Sequence, residues 1–291
     1  MILNYIRWNP DPEIINIFGI SIRYYGLLFV SGLILCIYIL GWIYKRENLP
    51  SEHLEKLAIF GMIGIIAGAR LGHCLFYEPS YYLSHPLEMI LPLTFLPDGG
   101  IKFTGYQGLA SHGGVLGLLI ALYFYSRKTK HSMLGAIDLI AVVSGLSFGF
   151  IRLGNFMNSE IIGIPTTLPW GVIFERVDNI PRHPAQLYEA ISYLVIFAIM
   201  MILYKKFRDR LKNGFFFGLG SVLFFPARIL IEFVKENQVG FEDEMALNMG
   251  QLLSLPFILV GIGFIIYSLR KPKKQASEIL LSFRNIWSNF D

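Results

Sequence analysis

Seven apolar runs of about 20 residues, each long enough to cross a hydrocarbon core, follow one another along the chain with short polar stretches between them. They fall near residues 24–44, 57–77, 108–126, 134–154, 186–204, 214–234 and 249–269. In lipid a backbone must satisfy its own hydrogen bonds, and runs of this length do so as helices. The expected fold is therefore an all-α polytopic integral membrane protein with about seven transmembrane helices. Composition points the same way: 54% of the 291 residues are hydrophobic and only 16% charged, with a mean hydropathy of +0.53. A soluble domain carries about 25% charged residues, so a water-soluble domain is excluded, as is a disordered chain. Cys36 and Cys74 both lie in apolar runs. They make no disulfide framework and lack the His or Cys partners of a zinc site, so no metal is expected.

Orientation follows from the lysines and arginines, which are retained on the cytoplasmic side. With the first loop placed inside, the inside segments hold sixteen of them; the outside segments hold six, namely Arg7, Arg23, Lys102, Arg176, Arg182 and Lys235. The amino terminus is expected outside and the carboxyl terminus inside. The opening MILNYIRWNPDPEIINIFG has no basic region leading into a cleavable apolar core, so it is expected to be retained. The expected organisation is one transmembrane catalytic domain over 1–270, with outer loops near 78–107 and 155–185, followed by a basic cytoplasmic tail over 271–291. The net charge of +4 is modest and matters through its placement, and no nucleic-acid partner is expected. Glycines at spacing four (Gly64, Gly68 and Gly72; Gly113 and Gly117; Gly145 and Gly149; Gly214 and Gly218) predict close helix packing. In the first outer loop, MILPLTFLP suggests an interfacial half-helix, while Pro79, Pro86, Pro92 and Pro97 argue against a full span.

Six charges sit at or near the outer ends of these spans: Arg70, Arg152, Arg228, Glu160, Glu189 and Glu232. Each is costly in lipid unless paired or wetted, which makes it a functional candidate. Arg228 and Glu232 are four apart and share a helix face, so mutual neutralisation for packing is an alternative. The arginine fork suits phosphate oxygens, and no lysine lies deep in a span, which points to a phosphate-bearing lipid. His112, in SHGGVLG, reads either as a hydrogen-bonded core residue or as a proton acceptor beside Arg152, Asn155 and Glu160. Asn155 and Asn158 add amide donors at the same depth, and Tyr24 and Tyr25 read as interfacial aromatics or headgroup contacts. Asp138, His53, His131 and the run Glu242, Asp243 and Glu244 read as solvated or loop residues. Gly145 to Gly149 match G-x-S-x-G, but that elbow needs a strand, a turn and a helix, and here it lies inside an apolar span. An anion transporter would distribute its charges through the depth of the bilayer, whereas these gather on one side. A lipid-binding scaffold without catalysis also stays open.

The stretch RLGNFMNSEIIGIPTTLPWGVIF closely resembles the signature of the prolipoprotein diacylglyceryl transferases, multi-span enzymes of the bacterial inner membrane. The resemblance extends to SIRYYGLLF, GARLGHCLFYE, SHGGVLG, PRHPAQLYEA, ARILIEF and MGQLLSLP, in family order from about Phe18 to Leu269. It implies transfer of the diacylglyceryl group of phosphatidylglycerol to the lipobox cysteine thiol of a preprolipoprotein, the first step of lipoprotein maturation. A thioether forms, glycerol phosphate leaves and no cofactor takes part. Carried over by motif, the important positions are Tyr25, His112, Arg152, Asn155, Glu160, Glu189, Arg228 and Glu232. On this reading His112 takes the thiol proton, and Arg152 and Arg228 hold the phosphate. Asn155 orients it, the three glutamates fix the arginines or bind the glycerol headgroup, and Tyr25 contacts the headgroup. The chain departs from the pattern at Ile151, where the family usually has glycine, at Gln107 beside an inserted DGGIKFTGY, and at Lys235, Glu236, Asn237 and Gln238, to which no role is carried.

Overall fold

The computed structural model describes residues 5–17, 20–96, 99–103, 108, 110–237 and 245–270. Gln107, Gln238, the run from Glu242 to Glu244 and the tail after Arg270 lie outside them. Among the described residues the long helices are α1 (Tyr24–Arg46), α2 (Ser51–Phe76), α5 (Ser111–Thr129), α6 (Met133–Asn158), α7 (Ala185–Phe207), α8 (Phe215–Glu232) and α9 (Met249–Arg270). Two short helices, α3 (Pro79–Ser84) and α4 (Pro86–Ile90), follow α2. The strands are β1 (Ile6–Trp8), β2 (Glu13–Ile17), β3 (Ile20–Arg23), β4 (Leu93–Phe95), β5 (Ile101–Phe103), β6 (Val172–Phe174) and β7 (Pro181–Arg182).

Each apolar run of the sequence is a helix, displaced by a few residues at its ends. Six helices are long and apolar enough to cross a membrane: α1, α2, α6, α7 with the 3-10 turn after it, α8 and α9. α5 occupies the remaining run, but Gly113, Gly114 and Gly117 and the polar residues at its two ends dilute its apolar content. The polytopic architecture stands on the six. Basic residues close α1 (Lys45, Arg46), α5 (Arg127, Lys128) and α7 (Lys205, Lys206), where a cation meets the negative end of the helix dipole. Pro226 and Pro256 are accommodated inside α8 and α9. Large apolar side chains such as Ile34, Leu230 and Leu259 stand 60–70% exposed, the surface that a hydrocarbon solvent covers.

The chain divides into two compact units, one made of the residues up to Leu40 with those from Ile137 onward, the other of Gly41–Ala136. In the first, α6 supplies much of the core through Leu139, Val142, Val143 and Leu146. Cys36 of α1 donates to the Val143 carbonyl at 3.3 Å. Side chains at Gly145 and Gly149 would strike the Tyr193 carbonyl and Leu194 of α7. Close approach through these glycines follows the expected small-residue packing. Gly218 does the same against Gly261 of α9. Gly214 has a different job from the one its spacing suggests: it takes φ +103° at the start of α8, a conformation that favours glycine.

A different solution to a buried charge appears near the start of α6. Asp138, expected to be solvated, is fully buried. Its Oδ2 lies 3.3 Å from Arg208 Nη1 and accepts the Gly214 N–H at 2.8 Å, while Oδ1 accepts the Phe217 N–H at 2.8 Å. The carboxylate thus satisfies orphan donors at the start of α8 and neutralises a buried arginine together. Beyond the helices, β1 pairs in parallel with β6 and β6 antiparallel with β7, and β2 and β3 form a hairpin. Trp8 donates to the Phe156 carbonyl at 3.0 Å and packs with Phe156 and Phe174, fastening this sheet to the end of α6.

In the second unit α2 and α5 meet backbone to backbone. A Cβ on Gly68 would sit 2.3 Å from the Gly113 carbonyl oxygen, and one on Gly117 2.0 Å from that of Gly64. The Tyr44 and Tyr125 hydroxyls are 2.9 Å apart in its core. The stretch MILPLTFLP is not a half-helix: α4 stops at Ile90 and β4 pairs with β5, so part of the insertion closes a hairpin. Pro92 is the physical reason, because the residue before a proline is pushed away from helical geometry. Glu88 anchors this turn by accepting the Phe95 N–H and the Tyr81 hydroxyl, each at 2.8 Å. The Phe95 N–H holds its carboxyl below the usual carboxylate range.

Candidate functional site

In the first unit the carboxyl ends of α6 and α8 and the amino end of α7 bring charged side chains to one place, with the amino ends of α1 and α9 packed against them. α6 contributes Arg152 and Asn155, one turn apart. Arg152 Nε lies 2.8 Å from Oε2 of Glu189, which α7 presents fully buried from its second turn. That contact is Coulombic more than a linear hydrogen bond, since Oε2 accepts no well-aligned donor. Arg152 Nη1 donates to Asn155 Oδ1 at 3.1 Å, and Asn155 Nδ2 donates to Glu160 Oε2 at 3.3 Å. Asn158 Nδ2 donates to Glu160 Oε1 at 3.0 Å. Glu160 reaches back over the helix end because Ser159 and Ile161 both take left-handed φ values, 57° and 56°. That conformation is costly for the β-branched Ile161. The buried Gln186 amide donates to the Glu160 carbonyl and fixes the turn from α7.

Gly154 explains how α1 enters. A Cβ there would stand 2.8 Å from Tyr25 Cδ2 and 3.3 Å from its Cα, so glycine lets the Tyr25 ring lie against α6 between Arg152 and Asn155 in sequence. Tyr25 is within electrostatic reach of Glu160 and Arg152. Ile151, the departure before the signature arginine, is half-buried in α6 and leaves this geometry in place.

The Arg228 and Glu232 pair does not form. Glu232 turns to Lys235, whose Nζ stands 3.0 Å from Glu232 Oε2 and 3.7 Å from Glu189 Oε1. Arg228 is half-buried and has no hydrogen-bond or ion-pair partner among the described residues. It lies within electrostatic reach of Tyr193, whose hydroxyl donates to Glu189 Oε1 at 3.3 Å. Gly250 at the start of α9 passes close to Glu232; a Cβ there would meet the carboxyl carbon at 2.8 Å.

Lys235 is the residue that sequence reasoning missed. It follows the helix rather than lying in it, and the departure from the family pattern there argued against carrying a role. A second group, also unforeseen, holds its loop. Val234 accepts the Ile164 N–H at 3.0 Å and Glu236 N–H donates to Ile162 at 3.1 Å, a bridge that pairs Lys235 with Gly163. Buried Arg182 donates to Asp178 Oδ2 at 2.6 Å, to Glu236 Oε1 at 3.1 Å and to the Gly163 carbonyl at 3.3 Å. The Arg182 guanidinium holds the Asp178 carboxyl below the usual carboxylate range. Burial pushes the neighbouring His183 imidazole down from its ordinary value.

Two expected site residues belong to the second unit. His112 is exposed in the first turn of α5. Arg70 is used inside its own unit, donating to the carbonyls of Glu88 at 2.6 Å and Met89 at 3.2 Å, with its guanidinium 4.7 Å from the Tyr82 ring centre. Among the described residues no group of three or more His, Cys, Asp or Glu is arranged to hold a metal.

Chemically, Arg152 keeps Nη2 without a described protein partner, and Arg228 keeps its whole guanidinium. Glu189 stands behind both Arg152 and Lys235, Glu232 behind Lys235, and Glu160 is linked to Arg152 through Asn155. The arrangement offers planar, rigidly backed N–H donors to an anion at the end of a bilayer-length helix.

The family model described as prolipoprotein diacylglyceryl transferase matches residues 12–267. A phosphatidylglycerol–prolipoprotein diacylglyceryl transferase of Bacteroides fragilis is 55% identical over 262 residues, covering 90% of this chain and 95% of the relative. Proteins of the same name from Tolumonas auensis and Chloroherpeton thalassium are 42% and 40% identical, covering 91% and 94% of this chain and 98% of each relative. With a family match that runs from before the first span to within the last, and relatives similar over nearly their whole length, the chain belongs to the prolipoprotein diacylglyceryl transferase family.

Proposed function

We propose that the cluster around Arg152 binds the phosphate of phosphatidylglycerol and that the protein transfers its diacylglyceryl group to the lipobox cysteine of preprolipoproteins. The observation that carries this reading is Arg228, a half-buried guanidinium in a span with no partner among the described residues. A cation at membrane depth with no partner among the described residues supports the binding of an anion from outside the chain.

The nucleophile is the thiol of the substrate. Only the thiolate attacks, and His112, carried from the SHGGVLG motif, is the proposed acceptor of its proton. Sulfur attacks the glycerol carbon that bears the phosphate ester. The C–S bond forms, the C–O bond breaks, and the electron pair leaves with the phosphate as glycerol phosphate. Arg152 Nη2 and Arg228 stabilise the negative charge that develops on the leaving oxygens. Glu189 and Asn155 hold Arg152 in place from Nε and Nη1, so little reorganisation is needed when the charge moves. Glu160 and Tyr25 face the headgroup, and Glu232 completes the polar wall.

The membrane arrangement that accompanies this is seven spans in one catalytic domain over 1–270, with α5 as the seventh, the amino terminus outside and the bacterial inner membrane as the location. The one-sided distribution of lysine and arginine supports that orientation. The test is detergent-solubilised protein with phosphatidylglycerol and a lipobox peptide bearing one cysteine, followed by peptide mass. A diacylglyceryl adduct with the wild type and none with Arg152→Ala is the expected result. Binding of phosphatidylglycerol without any adduct would return the protein to a lipid-binding scaffold.

A further inference from the structure

Lys235 lies 3.0 Å from Glu232 and 3.7 Å from Glu189, three residues beyond Glu232 and outside the helix that carries it. It is 6% exposed, so its ammonium is expensive to bury without the two carboxylates beside it. Its position is set by backbone more than by its own side chain, because the Gly163 bridge and the Arg182 contacts to Glu236 and the Gly163 carbonyl clamp the loop on either side of it.

The spacing on α8 gives this a consequence. Arg228 and Glu232 are four apart, close enough on one helix face for an ion pair, yet Glu232 bonds Lys235 and Arg228 stays unpaired among the described residues. From this competition we infer that Lys235 is a positioning residue: by occupying Glu232 it keeps the Arg228 guanidinium free for the anionic headgroup. The charges around it fit. Glu189 faces Arg152, Tyr193 and Lys235; Glu232 faces Lys235; and Arg228 is left without a partner among the described residues. Without Lys235, Glu232 is a buried carboxylate whose cation within reach along the helix is Arg228. The pair that forms then costs the site an anion receptor, while the fold keeps its charges balanced.

This inference rests on the proposed binding of phosphatidylglycerol at Arg152 and Arg228, and the experiment separates the two. Phosphatidylglycerol affinity is measured in detergent micelles, with adduct formation giving KM and kcat, for the wild type, Arg228→Ala, Lys235→Met and Lys235→Arg. If Arg228→Ala binds phosphatidylglycerol as well as the wild type, the reading of the site itself fails. If it does not, Lys235→Met should weaken binding and raise KM by about tenfold or more, the loss of one charge-assisted hydrogen bond. Its kcat should change less, and Lys235→Arg, which keeps the cation, should stay within about threefold of the wild type. Wild-type binding in Lys235→Met, or equal damage from Met and Arg, overturns the proposal. A cycle adds a second test: in a Glu232→Gln background the Lys235→Met substitution should cost little, since no carboxylate remains to capture Arg228, and a full penalty there would also overturn it.

Discussion

α6 carries a buried ionic cluster near each end, and the two are built to opposite rules. Near its start, Asp138 receives Arg208 and the backbone N–H groups of Gly214 and Phe217, so both carboxylate oxygens are engaged and the arginine is neutralised. Near its other end, Arg152 is backed by Glu189 and Asn155 but keeps Nη2 available, and Arg228 has no partner among the described residues. A buried charge that is fully matched is scaffolding. One that is held in place and left partly unmatched is a receptor, because its remaining desolvation cost is recovered only when a ligand arrives.

The largest effect is expected at the unmatched end. Arg152→Ala should abolish adduct formation, a loss of at least about a hundredfold in kcat/KM, since it removes both the phosphate donor and the group that Glu189 and Asn155 position. Its thermal midpoint should fall far less than its activity does. Equal losses of both would make this end scaffolding as well. The matched end should respond the other way round. Asp138→Ala strands buried Arg208 and two backbone donors and should cost about 3 kcal/mol of stability. Thermal unfolding in detergent reads this, while transfer per folded molecule stays near the wild type.

Arg228 sharpens the contrast, because a residue without partners among the described residues has little to lose in stability. Arg228→Lys keeps the charge and discards the planar fork, and should raise KM for phosphatidylglycerol by about ten- to thirtyfold with an unchanged melting temperature. A lower melting temperature would reveal a structural partner. The smallest effect belongs to the loop that holds Lys235. Asp178 has its carboxyl held below the usual range by Arg182, so its contribution is present at neutral pH and is lost as the pH falls through that lowered value. Melting curves of the wild type and Asp178→Asn should therefore differ at neutral pH, by about 1 kcal/mol for a part-buried pair, and converge in acid.

The helices were readable because lipid leaves a chain few choices: a run of about 20 apolar residues must be helical. Most of the site was readable for the same reason, since charges at Arg152, Glu189, Arg228 and Glu232 stand out against apolar neighbours. Partnership was not. Asp138 read as a solvated or loop residue because its partners, Arg208, Gly214 and Phe217, are 70 or more residues away. Arg228 and Glu232 looked like a pair because helical spacing permits one, and only the returning loop at Lys235 decides otherwise. The hairpin of β4 and β5 was hidden because its strands are only three residues each, and so short a run as Leu93, Thr94 and Phe95 does not by itself distinguish strand from helix.

The sequence by itself therefore determined the solvent this protein folds in, the helices that solvent demands, and which charges are too costly to be there without purpose. Tertiary structure decided which of those charges cancel one another and which stand without a partner among the described residues. That choice turns on ångström distances between residues far apart in the chain, and Coulomb energy in a low-dielectric interior is steep enough over such distances to make it decisive.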